Sequence, residues 1–140
     1  MTNESKTRRV TGSCHCGKVR YETEADLTTG FRCNCTACTK LAPTVAVVAP
    51  NAFRLLAGET DLHTYEFGAR NLSRRFCNHC GVLCFARGRD QDGNEFIGVN
   101  LNTLDHVELV DLPVVYFDGR HDTYEPRPTP YPIGESLPPR

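Results

Sequence analysis

Seven of the eight cysteines in this 140-residue chain fall into three short clusters, and these clusters constrain the fold more than any other feature. Two clusters are pairs, Cys14-His15-Cys16 and Cys77-Asn78-His79-Cys80, and the third is the triple Cys33-Asn34-Cys35-Thr36-Ala37-Cys38. Cys84 stands alone. A Cys-x-Cys pair bridges to itself only with strain, whereas its two sulfurs readily share one zinc ion at about 2.3 Å each. The spacing therefore favours zinc binding over disulfides.

The composition predicts one soluble, cytoplasmic domain. A chain of this length suits a single domain that buries roughly two thirds of the surface its unfolded form exposes. Sixteen Lys and Arg against seventeen Asp and Glu give a net charge of -1, which argues against binding to nucleic acid or an anionic membrane. The longest apolar stretch, residues 45–49, is far too short to span a membrane, and residues 1–12 lack the apolar core of a signal peptide. Without export the thiols are expected to stay reduced, which again favours metal binding.

Glycine and proline recur so often that most segments between them are too short for a helix of three turns. The pattern predicts a mainly β domain with strands at residues 18–22, 45–49, 53–56, 63–67, 71–77, 82–86, 95–99 and 114–117. Residues 36–40 and 102–105 are expected to form single helical turns. We place the domain at residues 10–122, after a flexible segment at residues 1–9 and before a proline-rich, extended tail at residues 123–140. Prolines should keep this tail from making regular hydrogen-bonded structure.

The two cysteine pairs have the features of one closed metal site. A glycine follows the second cysteine of each pair, and Gly81 can adopt the backbone conformation that turns amides toward thiolate charge. Together the pairs supply four thiolates, the full ligand set of a tetrahedral structural zinc. We therefore predict one structural zinc bound by Cys14, Cys16, Cys77 and Cys80. His15 and His79 are interpreted as turn residues, and the alternative is two unrelated thiol pairs.

The triple has two interpretations that its spacing leaves open. Three thiolates on one zinc leave a fourth position free, as a catalytic site requires. The thiolates also outweigh the charge of the ion, so such a metal activates water poorly but holds a soft thiol ligand well. The alternative is a second structural site that Cys84 closes. The first interpretation favours sulfur chemistry at a carbonyl carbon, and the second leaves nothing to react.

Other polar residues carry weaker signals. Arg74 and Arg75 could bind a carboxylate, but we expect them on a solvated strand face. A small basic patch is possible around Arg74, Arg75, Arg87 and Arg89. The isolated histidines are expected to be exposed on the surface; they are His63, His106 and His121.

Several segments around the cysteines resemble the glutathione-dependent formaldehyde-activating enzyme family, which also includes the vertebrate centromere protein V. The matching segments are residues 12–21 (GSCHCGKVRY), the triple with Asn34 and Lys40, residues 75–81 (RFCNHCG) and residues 98–105 (GVNLNTLD). The resemblance implies a β-tent fold of several small, coiled antiparallel sheets stapled by zinc. It also implies a structural zinc on the two pairs and a catalytic zinc on Cys33, Cys35 and Cys38.

The resemblance further implies carbon–sulfur lyase chemistry, in which formaldehyde joins glutathione as S-hydroxymethylglutathione or the adduct is cleaved. On this hypothesis the partners are a small thiol such as glutathione and a small aldehyde, and zinc is the cofactor at both sites. The competing hypothesis is a non-catalytic binding module with two structural zinc sites. Only the second hypothesis requires Cys84 as a ligand.

Overall fold

The computed structural model describes residues 7–68, 71–121 and 125–130. Within them the chain forms one short α-helix, α1 (Thr36–Leu41), and eleven β-strands. The strands are β1 (Thr7–Ser13), β2 (Arg20–Asp26), β3 (Gly30–Cys33), β4 (Val45–Val48), β5 (Phe53–Ala57), β6 (Leu62–Tyr65), β7 (Leu72–Cys77), β8 (Leu83–Arg89), β9 (Glu95–Asn100), β10 (Val114–Phe117) and β11 (Pro126–Arg127). No helix in these ranges is long and apolar enough to cross a membrane.

The described strands form two sheets. One has three strands in the order β1-β2-β5, and the other has eight in the order β11-β10-β3-β4-β9-β8-β7-β6. Neighbouring strands are antiparallel, except that β3 and β10 pair in parallel. The prediction of a mainly β fold with several sheets is confirmed, and the parallel pair is an addition to the antiparallel arrangement that was expected.

The core forms where strands of both sheets place alternate side chains inward. On β2 the buried residues include Tyr21 and Ala25, which belong to one apolar cluster with Ile97 and Val99 of β9. The Tyr21 hydroxyl forms a hydrogen bond of 2.6 Å with Thr103, so its polar end is satisfied inside the core. Three cysteine side chains extend the same cluster, which places a cysteine-rich region at the edge of the core; they are Cys14, Cys77 and Cys84.

Each predicted strand overlaps an observed one, but β1, β3 and β11 were not predicted. Because β1 begins at Thr7, the domain starts before the predicted boundary at residue 10, and residues 1–6 lie outside the described ranges. The expectation of a tail without regular hydrogen bonding is wrong at Pro126 and Arg127, which pair with β10. Proline is acceptable in such an edge strand because only its donor is missing. Residues 123–124 and 131–140 of the predicted tail lie outside the described residues.

Both predicted helical turns are found close to their expected positions. The first is α1, which ends one residue beyond the predicted range of 36–40. The second is a 3-10 turn over Leu101–Thr103, one residue earlier than the predicted start. The α1 helix matters most for function because it follows β3 directly and carries part of the cysteine triple.

Candidate metal centres

The two cysteine pairs occupy matching turns, one between β1 and β2 and the other between β7 and β8. In each turn the first cysteine donates its backbone N–H to the carbonyl five residues later, at 3.0 Å for Cys14 and 2.9 Å for Cys77. The glycine after the second cysteine has a positive φ, 83° at Gly17 and 78° at Gly81. This is the conformation expected for Gly81 from the sequence, and glycine adopts it without a steric penalty.

The two turns bring four sulfur atoms together. The Sγ atoms of Cys14, Cys16, Cys77 and Cys80 all lie within 4.8 Å of one another. Cys16 Sγ is 3.6 Å from Cys14 Sγ and 3.7 Å from Cys77 Sγ. Sulfurs bound at about 2.3 Å to a tetrahedral zinc are about 3.8 Å apart, so the group has the dimensions of a closed zinc site. None of the eight cysteines is in a disulfide.

Backbone donors point at the sulfurs of this group. Val19 donates its N–H to Cys14 Sγ at 3.3 Å, and His79 donates its N–H to Cys77 Sγ at 3.4 Å. Such donors stabilise thiolate charge around a metal. The His79 ring is engaged elsewhere, with Nε2 2.7 Å from Asp61 Oδ1, and it does not belong to the sulfur group. This agrees with its interpretation as a turn residue.

The triple lies where β3 passes into α1. Cys33 ends β3, Cys35 is the N-cap of α1, and Cys38 lies in the first turn of the helix. Their Sγ atoms are within 4.8 Å of one another, and no further His, Cys, Asp or Glu ligand atom joins them among the described residues. Backbone N–H groups of Cys35 and Cys38 donate to the sulfurs of Cys33 and Cys35, at 3.4 and 3.3 Å. The triple can therefore hold a metal ion with three protein ligands.

Cys84 belongs to neither sulfur group. It is fully buried on β8, within the apolar cluster that also contains Cys14 and Cys77. Burial raises the pKa of its thiol to about 12, and charge on Cys14, Cys77 and Cys80 acts in the same direction. The electrostatic neighbours of Cys84 are thus the four-cysteine group, which contradicts the interpretation in which Cys84 closes the triple.

Arg74 is a buried cation beside the triple. The sequence placed it on a solvated face, but it is only 4% exposed on β7. Its Nη2 donates to Cys38 Sγ at 3.7 Å, and its guanidinium carbon lies 5.1 Å from the centre of the Phe67 ring. None of the ion pairs among the described residues includes Arg74. A buried charge is costly unless it is paired, so the thiols of the triple are the counter-charge that this arginine requires.

The thiols of the triple are polarised by one another and by this cation. Hydrogen bonds from Cys33 and Cys38 lower the pKa of the Cys35 thiol, and the positive charge of Arg74 acts in the same direction. The same hydrogen bonds raise the pKa of Cys33, because its proton is shared with its neighbours. Negative charge is therefore favoured at Cys35, whereas the pKa values of Cys33 and Cys38 are raised, so a metal that binds all three sulfurs must displace the protons of these two thiols.

The loop of the triple is fastened to residues 117–121. Asn34 donates through Nδ2 to Asp118 Oδ1 at 3.0 Å, and its own Oδ1 accepts the backbone N–H of Arg120 at 3.0 Å. Asp118 also binds His121 Nδ1 at 2.7 Å. Burial opposes ionisation of Asp118, but the hydrogen bonds from Asn34 and His121 prevail and lower its pKa. His121 is exposed, as predicted, but it does not stand alone, because its ring pairs with Asp118 in the network behind the triple.

A pocket of about 710 Å³ lies between α1 on one side and β6, β7 and the β7–β8 turn on the other, and its lining includes Cys77 of the four-cysteine group but none of the three cysteines of the triple. Thr36 lines it and directly follows Cys35, while Phe76 lines it from the same face of β7 as Arg74. Its volume is in the range of small-molecule sites. The wall is largely apolar and aromatic, with Lys40 and His63 as its basic groups; other lining residues are Leu41 and Tyr65.

Comparison with known proteins agrees with these features. The family model for the glutathione-dependent formaldehyde-activating enzyme matches residues 9–117, a range that contains both sulfur groups and Arg74. The chain is also similar to a Rhodobacter sphaeroides protein whose crystal structure was determined as a structural-genomics target. The two share 29% sequence identity with a TM-score of 0.66, over 74% of this chain and 98% of the other. Because the family model matches most of the length of this chain, the chain belongs to the glutathione-dependent formaldehyde-activating enzyme family.

Proposed function

We propose that the protein is a zinc-dependent carbon–sulfur lyase that acts on a thiol–aldehyde adduct, in the manner of an S-(hydroxymethyl)glutathione synthase. The observation that carries this proposal is the difference between the two sulfur groups, since one has four sulfurs and the other has three, which leaves a fourth ligand position free. A structural zinc closes with four ligands, whereas a catalytic zinc keeps one position for water or substrate. We assign the structural zinc to Cys14, Cys16, Cys77 and Cys80, and the catalytic zinc to Cys33, Cys35 and Cys38.

The residues of the chain have distinct roles in this reaction. When bound at the triple, zinc would supply a soft Lewis acid that favours the thiolate form of a substrate thiol. Arg74 offsets the excess negative charge of the three thiolates, which an incoming thiolate would increase. The pocket next to α1 receives the rest of the thiol, and Lys40 and His63 offer positive charge to carboxylates such as those of glutathione. We place the reaction in the cytoplasm, where thiol ligands remain reduced.

The bond changes are simple and balanced. In the direction of synthesis the thiolate sulfur forms a bond to the aldehyde carbon, and the carbonyl oxygen takes the electron pair and then a proton. In the reverse direction the hydroxyl loses that proton, the carbon–sulfur bond breaks, and its electrons return to sulfur. No oxidant or reductant is consumed in either direction.

The proposal is tested by proton exchange NMR on glutathione and formaldehyde with wild type and Cys35→Ser. We expect wild type to accelerate adduct formation over the rate in buffer, and Cys35→Ser to lose the acceleration while it stays folded. Cys84→Ser is the matched control, because Cys84 lies outside both sulfur groups and should keep the wild-type rate. If wild type and Cys35→Ser both react at the rate found in buffer, the lyase proposal fails and the non-catalytic binding module replaces it.

Arg74→Gln should weaken metal binding at the triple by about tenfold or more and leave the four-cysteine site unchanged. The reason is that a hydrogen bond to a charged group contributes roughly 1.5–3 kcal/mol, and 1.4 kcal/mol is a factor of ten in affinity. Competition with a chelator, followed by the thiolate absorption of cobalt-substituted protein, measures the two sites separately. Arg74→Lys is the matched control that keeps the charge and should recover part of the affinity. Equal metal affinity in wild type and Arg74→Gln would contradict this role.

A further inference from the structure

A second pocket lies on the other face of β7, away from the triple. Side chains alternate along a strand, so Arg75 points to the side opposite Arg74. There a pocket of about 510 Å³ opens between β5 and the strands β7 and β8. None of its lining residues belongs to either sulfur group, and none of them also lines the pocket beside α1. Both pockets do border β6, through different residues. Any ligand bound here would be separate from the proposed lyase site.

Arg75 lines this second pocket. Its Nε atom is buried and has no hydrogen-bond partner, which is unusual because buried donors are nearly always satisfied. No ion pair among the described residues includes Arg75 or Arg87. In the β7–β8 register Arg75 faces Phe85, and Arg87 lies two residues further along the same face. Two arginines that take part in no ion pair among the described residues thus line one pocket together.

The charge around the pocket leaves room for one anion. Of the three arginines that line it, Arg54 is already paired with Glu22, at 3.0 Å. Glu59 is the one acidic residue among the lining residues. The two remaining arginines therefore exceed the lining carboxylates by a single positive charge. A singly charged anion would restore neutrality, whereas a dianion would exceed it.

The rest of the lining is apolar. Phe53 and Phe85 lie side by side, with ring centres 4.6 Å apart, and Leu55 and Leu62 complete this wall. Phe85 is almost fully buried, so the wall is a rigid part of the core edge. An apolar wall next to two arginines that lack an ion-pair partner is suited to a molecule that has a hydrophobic body and one negatively charged end.

We propose that this pocket is a binding site for a small organic monocarboxylate. Arg75 and Arg87 receive the carboxylate, because the planar guanidinium matches its two oxygens and can donate to both. The body of the ligand packs on Phe53 and Leu55, which are partly exposed, and Phe85 supports the Phe53 ring from the core side. This site does not depend on the lyase proposal, since it uses none of the residues assigned to that reaction.

The test uses benzoate as the probe, with the zinc-loaded full chain, in titration calorimetry and in NMR shift mapping. We expect saturable binding at millimolar or lower concentration, with shifts centred on β5, β7 and β8. Arg75→Met should abolish it and Arg87→Met should weaken it severalfold, so the second variant decides the outcome if the first does not fold. Arg8→Met, an exposed arginine on β1, is the matched control and should bind as wild type does.

Two further ligands separate the possible sources of binding. Benzyl alcohol keeps the aromatic body without the carboxylate, and inorganic phosphate keeps negative charge without the body. We expect neither to compete with benzoate at equal concentration. Equal binding of phosphate, benzoate binding that survives Arg75→Met and Arg87→Met, or no benzoate binding to wild type would overturn the proposal. A failure of the lyase proposal would leave the proposal of a monocarboxylate site in the second pocket unchanged, because the two use different residues.

Discussion

Cys77→Ser is expected to abolish folding of the domain. Cys77 is 1% exposed, its sulfur accepts backbone N–H groups, and it lies 3.7 Å from Cys16 Sγ in the four-sulfur group. Removing one of four ligands takes away much of the metal's contribution, which is of order 10 kcal/mol for structural zinc in small peptides. That is comparable to the total stability of a typical domain, about 5–15 kcal/mol. The variant should therefore lack cooperative thermal unfolding.

The measurement is thermal unfolding followed by circular dichroism, together with elemental analysis of the purified protein. Cys84→Ser is the matched control, because it makes the same chemical change at a buried cysteine that belongs to neither sulfur group. We expect it to remain folded, to retain both metals and to melt only moderately lower. A soluble Cys77→Ser protein with the wild-type melting temperature would refute the structural zinc assignment.

The cysteine clusters were predictable because their information is local. Each pair lies within one turn, and the positive φ at Gly81 follows from the need to point backbone amides at sulfur. That the two pairs meet follows from counting ligands, since neither pair completes a tetrahedral site alone. The same reasoning left the triple ambiguous, because ligand counting cannot tell which group Cys84 joins. Only the fold shows Cys84 next to the four-cysteine group.

The missed strands depend on pairing between distant parts of the chain. β1 begins with the exposed residues Thr7, Arg8 and Arg9, which have no apolar pattern, and it is a strand because it pairs with β2 along its full length. Charged residues are common on such edge strands. β3 has four residues and pairs in parallel with β10, more than 80 residues later. No local signal predicts either contact.

The contacts of Arg74 and Arg75 likewise could not be predicted from the sequence, because they are made with distant parts of the chain. The sequence presents them as two adjacent arginines on a strand, and alternation predicts only that they face opposite sides. In the fold Arg74 contacts Cys38 of the triple, whereas Arg75 lines the second pocket together with Phe53 and Phe85. Burial of Arg74 is what distinguishes a counter-charge from a solvated residue.

β7 links the proposed structural and catalytic sites. It carries Arg74 toward the triple and ends at Cys77 of the four-cysteine group. The four-cysteine group thus holds the strand that positions Arg74, whereas the triple is held by α1 and by the network around Asn34 and Asp118. Loss of metal at the four-cysteine site should therefore disturb both sites, but loss of metal at the triple should leave the fold intact.

Stepwise metal removal from wild type is accordingly expected to abolish activity before it unfolds the protein. A metal at the triple has three protein ligands, all partly exposed, and a free fourth position at which a chelator can bind. A metal at the four-cysteine site has a complete ligand set with two buried members. One equivalent of metal should leave first, with the adduct-forming rate falling to that of buffer and the circular dichroism spectrum unchanged.

The second equivalent should leave only at higher chelator concentration, together with the loss of β structure. Released metal, exchange rate and circular dichroism are followed on the same sample, so each event is assigned to one site. Arg74→Gln should release its first equivalent at lower chelator concentration than wild type, and Cys84→Ser should still release two. Release of both metals in a single step with unfolding, or activity that survives loss of the first metal, would exclude a separate catalytic zinc at Cys33, Cys35 and Cys38.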